Sequence, residues 1–113
     1  MMNPEEFGFL SIVIPVYNEE DNILPLIEQI DHSLRGYKYE IIIVDDFSTD
    51  TTRYNVTKLK LPHVILIELR KNYGQSLAIA AGIDQAKGNY IITIDGDLQN
   101  DPSDIPAMLE KAH

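Results

Sequence analysis

Two aspartates one residue apart, Asp95 and Asp97, follow directly on an apolar run from Tyr90 to Ile94, and Leu98, Gln99, Asn100 and Asp101 come next. Carboxylates at this spacing, with the neutral carbonyl of Gln99 nearby, form a hard-oxygen donor set of the kind that holds Mg²⁺ or Mn²⁺. A cation so held can grip a diphosphate. Gly96 keeps the turn slim enough for a ligand to approach the backbone. The same residue types also end strands for purely local reasons, since Asp, Gly and Asn favour turns. A second pair, Asp45 and Asp46, ends another apolar run, Tyr39 to Val44, in the same way.

The elements that must carry these pairs can be read from periodicity. Leu10 to Val16 is expected to be a first strand, with Pro15 near its end because it lacks an amide donor. A helix with Ile23, Ile27, Ile30 and Leu34 on one face should start near Asn22, place Pro25 in its first turn and stop at Gly36. Tyr39 to Val44 reads as a second strand. Ser48 or Asp50 is expected to cap a weak helix from Thr51 to Lys60. His63 to Leu69 reads as a third strand, followed by an alanine-rich helix from Gln75 to Lys87. Its small residues Ala78, Ala80, Ala81 and Gly82 would let it lie close to the sheet. Tyr90 opens the fourth strand. After the aspartates, Ser103 is expected to cap a last helix that has Pro106 in its first turn and buries Ile105, Met108, Leu109 and Ala112.

Strand–helix alternation repeated four times implies an α/β fold, with a mostly parallel sheet, right-handed crossovers and helices on both faces. The loops after the strands then share one rim, where open α/β sheets bind ligands. Those loops bring Tyr17, Asn18 and Glu19, then Asp45 and Asp46, then Lys71 and Asn72, then Asp95, Asp97 and Gln99. Loops are polar in any case, and several of these residues have local uses. Tyr17 suits base stacking or core filling. Asp45 could hydrogen-bond neighbouring amides. Glu19 could simply favour a helix start, and Arg70 beside Lys71 reads as solvated. Asp50, Asp101 and Asp104 read as turn and cap residues, and His32 and His63 as surface or strand-end positions.

With 113 residues the chain supports one modest domain, residues 1–113. A formal net charge of −9 excludes nucleic-acid or anionic-lipid binding through a broad basic face. The absence of cysteine excludes disulfides and thiolate metal sites. No apolar run is long enough to span a bilayer. The acidic start, Met-Met-Asn-Pro-Glu-Glu, has no signal core. Four strands make a small sheet for this architecture, so the chain is expected to be the truncated, N-terminal part of a longer protein.

Four stretches carry a resemblance: Ile12 to Glu20, Glu40 to Asp50, Lys71 to Gln75, and Asp95-Gly-Asp-Leu-Gln99. In this order and spacing they resemble family 2 glycosyltransferases, most closely the dolichyl- and polyprenyl-phosphate sugar synthases. The resemblance implies a Rossmann-like GT-A domain that binds a UDP- or GDP-linked sugar with Mn²⁺ or Mg²⁺. It implies inverting transfer to an acceptor, a polyprenyl phosphate, in cell-envelope glycan synthesis on the cytoplasmic face. Carried across, Pro15, Tyr17, Glu19, Val44, Asp46, Lys71, Asp95 and Gly96 would line the nucleotide. Asp46 would accept from the base. Asp97, with Gln99, would bind the metal that assists the leaving group. The acceptor-side motifs, the later basic residues that grip the diphosphate and any membrane helices would lie beyond His113, and no residue of this chain is assigned as general base. Phe47 departs from the family's usual glycine, which would strain the loop if that position needs a positive φ. Two other readings stay open from the residues alone. A nucleotidyltransferase would need a basic glycine-rich loop where Tyr17 to Asp21 stands. A receiver-like signalling domain would gather Mg²⁺ at Asp45, Asp46 and Asp95.

Overall fold

The computed structural model describes residues 3–94 and 101–112. A 3₁₀ turn at Pro4–Phe7 leads into strand β1 (Phe9–Val16), helix α1 (Ile23–Ser33), β2 (Lys38–Asp45), α2 (Thr52–Thr57), β3 (Val64–Glu68), α3 (Gln75–Gln85) and β4 (Tyr90–Thr93). A second 3₁₀ turn, Pro102–Asp104, precedes α4 (Ile105–Ala112). The four strands form one parallel sheet in the order β3-β2-β1-β4. The strand order reverses between β1 and β4, and that is the switch point at which such sheets bind ligands.

The sheet's two faces follow the alternation of its strands. Leu10, Ile12, Ile14 and Val16 of β1 and Ile41 and Ile43 of β2 share the main core with Ile23, Leu26, Ile27 and Ile30 of α1 and with Ile105 and Leu109 of α4. Val13, Ile42 and Val44 face the other way, against Ala78 of α3. Gly82 explains how closely α3 lies on this face. A Cβ there would come within 2.4 Å of Val13 Cγ1 and 2.9 Å of Val44 Cγ2. Ala78 shares the contact, whereas Ala80 is exposed.

Pro15 sits one residue before the end of β1 and limits the β1–β4 ladder. The Val13 carbonyl accepts from the Ile94 amide at 3.1 Å. In a parallel ladder the next rung would need the Pro15 N–H, which does not exist. Gly36 has φ +88, as the chain turns out of α1 toward β2.

Several sequence expectations need correction here. The helix expected from Thr51 to Lys60 is confined to Thr52–Thr57, in keeping with its poor helix formers. Its first turn is held by Asp50, whose Oδ1 accepts from the Thr52 amide at 2.9 Å and from the Thr52 hydroxyl. Ser103 is not a cap. Its own amide donates to Asp101 Oδ1 at 3.0 Å, so the capping carboxylate lies two residues earlier. These bonds also hold the Asp101 carboxyl below the usual carboxylate range. Met108 and Ala112 are exposed, leaving Ile105 and Leu109 as the buried residues of α4.

Candidate nucleotide site at the carboxyl ends of the strands

The loops after β1 and β2 are fastened together by side chains that reach from one to the other. Asn18 is the centre of this seam. Its backbone φ of +53 falls in the left-handed region, which asparagine tolerates better than most residues. Its Oδ1 accepts from the amides of Thr49 at 2.8 Å and Asp50 at 3.3 Å, while its own amide donates to Ser48 Oγ at 2.9 Å. Further along, the Glu19 amide donates to Thr52 Oγ1 at 2.9 Å and the Glu20 amide to Asp50 Oδ2 at 3.2 Å. Glu20 Oε2 in turn accepts from the Thr51 amide at 2.9 Å. Burial opposes ionisation of Asp50, but hydrogen bonds from the Thr52 hydroxyl and amide and the Glu20 amide outweigh it and keep the carboxyl below its ordinary range.

The two aspartates ending β2 have separate duties. Asp45 is fully buried and accepts from the Ser48 amide at 2.9 Å, the Ser48 hydroxyl and Arg53 Nε at 2.6 Å. Asp46, 4% exposed, accepts from the amides of Tyr73 at 2.7 Å and Gly74 at 2.9 Å. It therefore clasps the loop after β3 onto the end of β2. Gly74 meets it with φ +93, a backbone setting suited to glycine. Because Asp45 is fully buried and already serves three donors, the receiver-like reading, which needs it to face a cation, loses its footing.

The remaining described residues fall on the same rim with different access. Tyr17 is 45% exposed, so it is not core filler. Glu19 Oε2 accepts from Asn22 Nδ2 at 2.9 Å, helping to start α1. Lys71 is exposed, with Nζ 5.1 Å from the centre of the Tyr73 ring. Pro15 and Val44 are register partners and both buried; they form the floor beneath the rim and offer it no exposed side chain. Phe47 has φ +67, so this position does require the conformation that glycine adopts freely. Asp95, Gly96, Asp97 and Gln99 lie outside the described residues. Among the described residues, no cluster of three or more acidic or histidine side chains could hold a metal ion.

Sequence reasoning placed Asn18 in a loop, Ser48 as a candidate helix cap and Arg53 in the helix after it, without seeing the bonds that they make. An Asn in a tight loop was the one available signal, through its tolerance of positive φ. Arg53 gave none, because its partner Asp45 is eight residues away across a turn.

The opposite edge of the sheet is built differently. An open hollow of about 460 Å³ there is lined by Phe9, Asp31, Tyr37, Lys38, Tyr39 and His63. Asp31 Oδ1 accepts from the Tyr39 hydroxyl and lies 2.8 Å from His63 Nε2. Burial, then the hydrogen bond and charge of Asp31, raise the Tyr39 hydroxyl well above its ordinary pKa.

The clasp can be tested by Asp46→Asn. Asparagine keeps one acceptor oxygen but turns an NH₂ toward the second amide. The substitution is expected to cost about 2 kcal/mol, the range for one charge-assisted hydrogen bond. Urea denaturation reads this directly; an unchanged midpoint would show that the β3–α3 loop is held by something else.

The model of the family described as glycosyl transferase family 2 matches residues 11–113. The chain is 45% identical over 107 residues to a dodecaprenyl-phosphate galacturonate synthase of Rhizobium johnstonii, with 90% of this chain and 32% of that protein covered. It is 43% identical over 108 residues to an undecaprenyl-phosphate 4-deoxy-4-formamido-L-arabinose transferase of Klebsiella pneumoniae, with 91% and 33% covered. The chain thus spans about a third of the length of the curated relatives it matches. Among solved structures, it is similar to the mannosyltransferase PcManGT from Pyrobaculum calidifontis in complex with GDP-Man and Mn²⁺. The TM-score is 0.75 and the identity 25%, with 87% of this chain and 30% of that one covered. The parallel sheet with helices on both faces is the GT-A arrangement expected from the motifs. Matched by the family model from Ser11 onward, this chain belongs to glycosyl transferase family 2.

Proposed function

We propose that this chain carries the donor-binding part of an inverting glycosyltransferase that moves a sugar from a UDP- or GDP-linked donor to a polyprenyl phosphate. The observation that carries the reading is the binding together of three loop tips. Asn18 ties the first to the second, and Asp46 ties the second to the third. The chain leaves β4, next to β1, toward this same edge, since the Ile94 amide still bonds Val13. Asp95 follows Ile94 directly in sequence.

On this reading Tyr17, Glu19, Lys71, Asp95 and Gly96 surround the nucleotide, while Pro15 and Val44 support it from below. Asp46 spends one lone pair of each oxygen on Tyr73 and Gly74, and a second lone pair remains for a ring N–H of the base. Asp97 and Gln99 supply the hard oxygen ligands suited to Mn²⁺ or Mg²⁺. Bound there, the ion would offset charge developing on the departing nucleoside diphosphate. Lys71 places a further positive charge near the same phosphates. A phosphate acceptor is already anionic, so it makes small demands on a general base. The names of the Rhizobium and Klebsiella relatives support a polyprenyl-phosphate acceptor, and GDP-Man in the Pyrobaculum structure supports a nucleotide-sugar donor. Nucleotide sugars as donors also favour work on the cytoplasmic face. No helix among the described residues is long and apolar enough to cross a membrane.

Calorimetric titration of the chain with UDP and GDP tests the reading. Binding is expected in the presence of Mn²⁺ and should be lost on adding a chelator. Binding of neither nucleotide, or equal binding with chelator present, would refute it.

A further inference from the structure

Phe47 is a large aromatic residue in a conformation that L side chains rarely adopt, at φ +67. Strain of this kind persists only where the surroundings enforce it, and it gathers at ligand-binding positions. Burial does not enforce it here, because Phe47 is 44% exposed. The ring is instead held from one side. The Arg53 guanidinium carbon stands 5.4 Å from the ring centre, and Arg53 is itself fixed by its 2.6 Å contact with fully buried Asp45. Phe47 also lies between Asp46, which clasps the third loop, and Ser48, which meets the first. The result is a flat apolar surface, pre-set in orientation, at the junction of three loops.

We propose that the Phe47 ring is the platform on which the base of the donor nucleoside diphosphate stacks. This rests on the donor-binding reading above and extends it to a residue that the family pattern does not supply. Tyr17 and Tyr73 are as exposed, at 45% each, but neither is among the residues with positive φ. The ring of Tyr73 faces Lys71, an exposed flexible side chain, where Phe47 faces an anchored arginine. If Phe47 served only to cover the Arg53–Asp45 pair, any apolar side chain would do, and nucleotide affinity would not depend on the ring.

Phe47→Leu keeps an apolar cover and removes the π-face. It is expected to weaken UDP or GDP binding with Mn²⁺ by about ten- to a hundredfold, the range of base–aromatic stacking. Affinity for pyrophosphate with Mn²⁺, which has no base, should be unchanged. Phe47→Trp should retain nucleotide affinity and, in a chain with no native tryptophan, should show fluorescence quenching with UDP or GDP but not with pyrophosphate. Equal nucleotide affinity in wild type and Phe47→Leu would overturn the proposal while leaving the donor reading intact. So would parallel loss of pyrophosphate binding. No nucleotide binding by the wild type would remove the donor reading, and this one with it.

Discussion

Alanine in place of Asp45 is expected to destabilise the fold by about 3 kcal/mol, near the lower end of what breaking a buried ion pair costs. Three donors converge on this fully buried carboxylate: the Ser48 amide, the Ser48 hydroxyl and Arg53 Nε. Each charge-assisted bond contributes about 1.5–3 kcal/mol, but the three are coupled and do not add. Arg53 also has partial recourse. Its side chain is 30% exposed, and its Nη1 lies 3.7 Å from Glu68 Oε1, so it can turn toward water or Glu68 when Asp45 is lost. That recourse moves the expectation down from the 5 kcal/mol extreme of about 3–5. A drop in melting temperature of about 12 °C corresponds to 3 kcal/mol in a domain of this size. A drop of only a degree or two would mean that the β2–α2 turn does not depend on Asp45.

Asp97→Ala is expected to cost at least about a hundredfold in metal-dependent nucleotide affinity. Losing a residue that merely orients a metal ligand typically costs about 10–100-fold in metal affinity, and losing a ligand should cost no less. Gln99 would remain as a neutral oxygen, with no charge to balance the cation. Thermal stability without metal should stay close to wild type, which separates this variant from Asp45→Ala. Unchanged nucleotide affinity in Asp97→Ala would remove the metal assignment.

The contrast between these two aspartates also marks how far the sequence could be read. Strands β1 and β2 and helix α1 carry dense apolar patterns, Ile12 to Val16, Ile41 to Val44, and Ile23 with Ile27 and Ile30; the strands lie within one residue of their expected bounds, and α1 starts as expected but ends at Ser33, short of Gly36. The close seat of α3 was readable from Gly82, because only a missing Cβ allows that approach to Val13 and Val44. Phe47 was readable as a misfit, and its φ of +67 shows that the misfit is real. Asp45 and Asp46 were visible as a pair at a strand end, but their partners were not. Tyr73 and Gly74 meet Asp46 only when the parallel sheet brings separate loops to one rim, whereas Ser48 and Arg53 meet Asp45 through the turn between β2 and α2, and local periodicity carries no record of either. Asp101 displaced Ser103 as cap for a similar reason: both have the right chemistry, and the intervening 3₁₀ turn decided between them. Met108 matched the helical period yet lies beyond the stripe that Ile105 and Leu109 bury.

Whether one cation and one nucleotide sit among the loops at the carboxyl ends of the strands is tested most directly by NMR with paramagnetic Mn²⁺ and UDP or GDP. Amide signals of Asn18, Ser48 and Gly74 should broaden first, while those of Asp31, Tyr39 and His63 at the opposite edge stay sharp. Broadening centred on Asp31 and His63, or spread evenly over the chain, would contradict a site at that rim.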